Sequence, residues 1–315
     1  MGFDGLLGNE RLKDNLRQSL DRGHTSHFYL ISGPAGAGKH TLAKLLSAAM
    51  MCQSGPKPCL QCNACRKVME GLHPDCITVT DPEHKNVAVK IVRQIREDMF
   101  IRPNEGERKV YIFPQTLGIE GQNALLKILE EPPAYGAFLL LTENPEQLLP
   151  TVRSRCVSLT LQPLPEDMLR RELKNRLPEA EDPAVSAAIG RSGGFLGQAL
   201  ALLSEENSVL PQTEACLQAF AQRDGLLLTQ TLAPMEKWKR DQLIPALQQW
   251  LLVLEEALAC RSGMAAVSPA AARIAGRRSG QELNQAIGNL QKAIEYAQGN
   301  VSVAAICGWL QWVMR

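Results

Sequence analysis

Residues 28 to 51 read FYLISGPAGAGKHTLAKLLSAAMM, and the fold follows from how this stretch is read. A β-rich apolar run (28 to 32) enters a loop containing Gly33, Gly36 and Gly38. The loop ends in Lys39, and apolar residues at helical spacing follow. Glycines so placed let backbone N–H groups converge on phosphate oxygens, a helix N-terminus adds partial positive charge, and the lysine reaches the outer phosphates. Strand, loop and helix agree, so Gly33, Gly36, Gly38, Lys39, His40 and Thr41 are expected to form a nucleotide-binding loop. His40 stands where Ser or Thr normally ligates magnesium. Thr41 lies one residue on, rotated by about 100° around the helix, and imidazole is a poor ligand for a hard cation. The loop is therefore expected to take ATP or ADP without efficient hydrolysis.

Working outward, further strand candidates are CITVT (76 to 80), KVYIF (109 to 113), AFLLLTE (137 to 143) and CVSLTLQ (156 to 162). Helical patterns lie between them, over Val89, Val92, Ile95 and Met99 and over Ala124, Leu125, Ile128 and Leu129. Strands alternating with helices predict an α/β fold with a parallel five-stranded sheet. A phosphate-cleaving site also needs a carboxylate at the end of a neighbouring strand. KVYIF is followed instead by Pro114, Gln115 and Thr116, and Glu120, Glu130 and Glu131 read as solvated surface.

After QPLPED the strand signal stops. The expected division is an α/β domain over 1 to 162, a small helical lid over 163 to 205, and an all-α domain over 206 to 315. A polar hinge, SEENSVLPQ, begins at 204. Leu283, Ile287, Leu290 and Ile294 form a stripe of helical period that reads as core packing. With 34 basic and 33 acidic side chains, formal charge +1 and pI near 7.6, no global field draws the chain to nucleic acid or an anionic membrane. The N-terminus lacks the apolar core of a signal peptide, and no apolar run is read as reaching the roughly 18 residues of a membrane span. A cytoplasmic location is expected.

Nine cysteines include Cys52, Cys59, Cys62 and Cys65 within fourteen positions. Two overlapping C-x2-C steps let four thiolates wrap one tetrahedral zinc, so a structural zinc site is expected, with a redox switch as the other reading. Cys76, Cys156, Cys216, Cys307 and Cys260 read as buried thiols.

GPAGAGKHT, the four-cysteine insert, HPD (73 to 75), NALLKILEEPP (123 to 133) and TVRSRC (151 to 156) together resemble the AAA+ subunits of the bacterial DNA polymerase III clamp loader. The resemblance implies a P-loop AAA+ domain with an inserted zinc module, a helical lid and a C-terminal collar for oligomerisation. It implies gamma/tau and delta subunits as partners, with the sliding clamp and primer-template DNA engaged through the complex and no membrane. Within the family, gamma/tau motors keep an intact ATP site, whereas the delta-prime branch resembles this chain: a damaged site, a retained Ser-Arg-Cys and no long C-terminal extension. Intrinsic ATPase is then weak or absent, within a polymerase III holoenzyme. By the same resemblance Arg155 is an arginine finger acting in trans on a neighbour's ATP, Thr142 and Asn144 fall near a sensor position, and Gln198 replaces the lid's sensing arginine. Two other readings stand: an active AAA+ motor, and a zinc-dependent nucleic-acid module with an idle loop.

Overall fold

The structure is a computed structural model that describes residues 2–84, 86–203, 210–263, 268–299 and 301–314. It divides into two compact units, one of residues 1–180 and 188–202, the other of 181–187 and 203–315.

In the first unit the strands are β1 (Phe28–Ser32), β2 (Cys76–Thr78), β3 (Lys109–Phe113), β4 (Gly136–Thr142) and β5 (Val157–Thr160). All neighbours run parallel, in the order β2-β3-β4-β1-β5. The helices are α1 (Glu10–Asp21), α2 (Lys39–Met51), α3 (Asn63–Glu70), α4 (Val89–Asp98), α5 (Ile119–Glu130), α6 (Pro150–Arg153), α7 (Glu166–Arg176), α8 (Asp182–Arg191), which straddles the division, and α9 (Leu196–Leu203). β1 and β3 have the expected bounds, β4 begins and ends one residue earlier than expected, and β2 and β5 are shorter.

Side chains alternate across a strand, so each central strand feeds two cores. Tyr29, Ile31, Val110, Ile112, Leu139 and Leu141 pack with residues of α1, α2 and α3. Phe28, Leu30, Tyr111, Phe113, Phe138 and Leu140 pack with α4 and α5 on the other face. Phe28 stacks on Phe138 with ring centroids 4.7 Å apart. Each such fully buried side chain contributes about 1.5–3 kcal/mol. With both faces covered, β1 is held rigidly, and the loop at its carboxyl end starts from a fixed point. Together the strand order and that loop make this a P-loop α/β domain of the AAA+ class.

The second unit contains α10 (Pro211–Gln222), α11 (Gly225–Met235), α12 (Arg240–Arg261), α13 (Pro269–Arg277), α14 (Gly280–Gln298) and α15 (Val303–Val313). Leu243, Leu247, Trp250 and Leu254 of α12 meet Leu283 and Leu290 of α14 in one core, with Ile287 and Ile294 packed at its margin. The reading that no apolar run matches a membrane span needs correcting here. By length and composition α12 is long and apolar enough, with mean hydropathy 1.3 over its apolar window. Leu243, Ala246, Leu247, Trp250, Val253, Leu254 and Ala257 of this helix are buried in that core, while Leu252 is exposed. The hinge expected from 204 lies outside the described residues as far as 209.

Candidate functional site

The glycine loop leaves the carboxyl end of β1, with Gly33 N–H donating to the Thr142 carbonyl of β4 at 3.2 Å. Gly36 (φ 71°) and Gly38 (φ 97°) adopt backbone conformations that side chains disfavour, so these glycines are required by shape. The Lys39 ammonium donates to the carbonyls of Gly33 at 2.6 Å and Pro34 at 2.8 Å. Glu143 lies 3.9 Å from the same nitrogen. Burial pushes the Lys39 pKa down, and the Glu143 charge opposes it.

A cleft of about 530 Å³ opens beside the loop, lined by Gly36, Gly38, Lys39, His40, Pro114, Thr142 and Glu143 among others. Desolvation and then the Lys39 and Lys44 charges push the His40 imidazole pKa down. Thr41 lines a different, smaller cleft of about 170 Å³ together with Leu6, Phe195 and Gly197. His40 and Thr41 thus line different clefts, as a rotation of about 100° between adjacent helical positions allows.

The end of β3 provides no acid. Gln115 turns its amide to the neighbouring loop: its Oε1 accepts from Asp81 N–H at 2.9 Å, and its Nε2 donates to the Asp81 carbonyl at 3.1 Å and to that of His84. The acid beside Lys39 is Glu143, after β4, which the sequence reading passed over. The signal was present, since AFLLLT is an apolar strand ending in Glu. Thr142 lines the cleft, whereas the Asn144 side chain is used locally, accepting from Glu146 N–H at 2.9 Å. The lid residue set against the loop is Gly197, whose N–H donates to the Gly36 carbonyl at 3.0 Å, with the backbone nitrogen of Gln198 beside it.

Arg155 lies in the corner between α6 and β5, with 40% of its side chain exposed. Its guanidinium donates to the Thr151 carbonyl at 3.0 Å and to Glu130 Oε1 at 3.3 Å. Arg153 pairs separately with Glu146. Glu130, read as solvated surface, therefore joins LEEPP to Ser-Arg-Cys.

The four cysteines meet where α2 ends and α3 begins. Their sulfurs all lie within 4.8 Å of one another, so the cluster could hold a metal ion. Cys52 caps α2 and Cys62 caps α3. Backbone N–H groups of Cys59, Cys62 and Cys65 point at the sulfurs of Cys52, Cys59 and Cys62 at 3.3–3.4 Å. Such donors favour thiolate, and those of Cys62 and Gln61 lower the Cys59 pKa to about 6, whereas burial pushes the Cys52 and Cys65 thiols up. Outside the cluster, burial pushes Cys76, Cys156, Cys216 and Cys307 each up to about 11 or 12.

The HPD segment is a clasp. Asp75, fully buried, accepts from Asn104 N–H and Nδ2, Glu105 N–H and Gly106 N–H, and His73 Nδ1 accepts from Asp75 N–H. Burial raises the Asp75 pKa, and the converging N–H groups outweigh it and hold the carboxyl below its usual range.

The family model described as DNA polymerase III, delta subunit, matches residues 8–165. DNA polymerase III subunit tau of Escherichia coli is 32% identical over 241 residues, covering 74% of this chain and 35% of that protein. Subunit gamma of Buchnera aphidicola is 28% identical over 251 residues, covering 75% of this chain and 69% of its own length. The chain spans about a third of the length of the tau relatives. A gamma subunit-related protein of Thermotoga maritima superposes over 96% of this chain and 99% of its own, with TM-score 0.48 and 17% identity. Since the family match takes in all five strands, the loop they carry and the Arg155 corner, and spans half of the sequence, the chain belongs to the DNA polymerase III clamp-loader family.

Proposed function

We propose that the chain is a delta-prime-type subunit of the clamp loader, a stator that supplies Arg155 to the ATP of a neighbouring motor subunit and scarcely hydrolyses nucleotide itself. Supporting this is the contrast between an exposed guanidinium and a loop flanked by no acid from β3, since Gln115 is committed to the Asp81 backbone. Gamma/tau and delta subunits would be its partners, in the cytoplasm, with the sliding clamp and primer-template DNA reached through the assembly. The α/β domain would extend to 162, the lid to 205, and the remainder would form the collar.

In the proposed reaction the substrate is the neighbour's ATP. Arg155 would meet charge developing on its γ-phosphate, where a rigid forked donor is worth more than a lysine. Glu130 and the Thr151 carbonyl hold the guanidinium at the corner until that partner arrives. On its own loop, Gly33, Gly36, Gly38 and Lys39 would cradle ATP or ADP, with His40 and Thr41 at the helix start. A bound nucleotide would supply only its phosphates as a charge for that cradle.

Cys52, Cys59, Cys62 and Cys65 would hold a structural zinc. A tetrahedral zinc with Zn–S of about 2.3 Å requires sulfurs about 3.8 Å apart, and the Cys59 and Cys65 sulfurs are 3.9 Å apart. The ion would tie α2, which starts at Lys39, to α3.

The test is the DNA- and clamp-stimulated ATPase of the reconstituted loader with wild-type chain and with Arg155→Ala. A large fall with the complex intact is expected; an unchanged rate overturns the finger. One observation favours a second reading, an active motor of the gamma/tau type: the similar curated relatives are tau and gamma subunits. Hydrolysis by the pure chain, abolished by Lys39→Ala, would establish it.

A further inference from the structure

Among the described residues that line the cleft of about 530 Å³ beside the loop, Lys39 carries the positive charge and Glu143 the negative one. The His40 imidazole adds none near neutral pH, since desolvation pushes its pKa down. The volume lies within the roughly 300–1,000 Å³ of small-molecule sites. A nucleotide therefore has room, and the electrostatics of the cleft decide which nucleotide is taken.

The position of Glu143 is set by backbone. Gly33 N–H donates to the Thr142 carbonyl at 3.2 Å, which ties the end of β4 to the loop. On the far side of Glu143, Thr142 Oγ1 accepts from Asn144 N–H at 3.2 Å and donates to the Asn144 carbonyl at 3.0 Å. Between these two tied residues Glu143 places Oε1 3.9 Å from the Lys39 ammonium, with 67% of its side chain exposed. A pair so exposed stabilises a fold little, so its effect falls on what enters the cleft.

A loop lysine of this kind reaches the outer phosphates of a nucleotide, and a third phosphate would come to it beside the Glu143 charge. Each added phosphate brings more negative charge. Against it the cradle sets one ammonium, the loop N–H groups and the start of α2, and the end of β3 adds no carboxylate to hold magnesium. A divalent ion on Glu143 would itself stand against the Lys39 ammonium.

We propose that Glu143 is a specificity-determining residue that makes the glycine-loop cleft a site for a nucleoside diphosphate, by holding a negative charge beside the ammonium that a γ-phosphate would seek. The selection is by repulsion of the longer ligand and needs no contact with the shorter one. It rests on the nucleotide cradle of the proposed function and deepens it by naming the ligand; Arg155 plays no part in it.

Binding of the fluorescent analogues mant-ADP and mant-ATP to the full chain is measured at equilibrium, in magnesium and in EDTA. Wild type is expected to bind mant-ADP at least about tenfold more tightly than mant-ATP in EDTA, and to keep that order in magnesium. Glu143→Gln should bring the two within about threefold, chiefly by tightening mant-ATP, and Lys39→Ala should weaken both. Glu120→Gln removes an exposed charge outside the cleft lining and should match wild type. Equal affinities in wild type overturn the proposal without any variant, as does a chain that binds neither analogue. An unaltered ratio in Glu143→Gln overturns it too. So does a Glu143→Gln variant that loses mant-ATP only in magnesium, because Glu143 would then be a metal ligand, as an active motor requires. The Arg155→Ala rate in the loader reports on a different site, so the finger and the selectivity can fail separately.

Discussion

The glycine loop and the Arg155 corner, the two features that the proposed function turns toward phosphate, are in opposite states. At the loop, the side chain of Lys39 is largely buried, its ammonium bonded to the carbonyls of Gly33 and Pro34 and faced by Glu143. At the corner, Arg155 is exposed, and its one carboxylate partner is itself 57% exposed at 3.3 Å. Exposed pairs of that kind contribute about 0–1 kcal/mol, which a partner's phosphate can outbid. A charge satisfied inside its own fold is structural, and a charge held loosely at a corner is available to another molecule.

The largest effect expected from that contrast is at the corner. Arg155→Ala should lower the stimulated ATPase of an intact loader by about 10³-fold, or about 4 kcal/mol of barrier. A rate that stays put places the corner with the loop as structure.

Next comes the cluster that anchors the helix of the loop. Cys62→Ser should abolish stoichiometric zinc, measured by elemental analysis, and lower the unfolding free energy by about 2 kcal/mol or more. Full stability in the metal-free variant would mean that α2 is held by the sheet alone.

Glu130→Gln sharpens the claim that Arg155 is loosely held. It should keep the loader rate within about fivefold of wild type. A fall as deep as that of Arg155→Ala would make Glu130 and Arg155 one functional unit. The smallest effect is expected at the loop, where Lys39→Ala should leave the loader rate unchanged in a steady-state assay. A loss there would break the comparison, because the loop would then be working on nucleotide in cis.

Features whose geometry is local were legible in the sequence. Gly36 and Gly38 announce positive φ, the C-x2-C steps announce converging sulfurs, and FYLIS and KVYIF announce buried strands, because each is dictated by residues within a few positions. His40, Pro114 and Gln115 likewise marked the loop as poorly equipped, since what is missing at a position needs no partner to be seen. Glu130 is exposed as read, but its pairing with Arg155 was not legible, nor was the Gly197 bond to Gly36 beside Gln198. Both pairings join residues far apart along the chain.

By itself, then, the sequence determined the parallel sheet, the glycine loop between β1 and α2, the cysteine cluster and an arginine in a clamp-loader pattern. Only the tertiary structure decided that Gln115 turns to Asp81, that Glu143 faces Lys39, that Glu130 tethers Arg155 and that Gly197 closes on Gly36. The reason is physical: short-range sterics fix a loop or a strand, whereas these pairings exist only after β1, β4 and α5 are packed and the chain after β5 has returned over the loop.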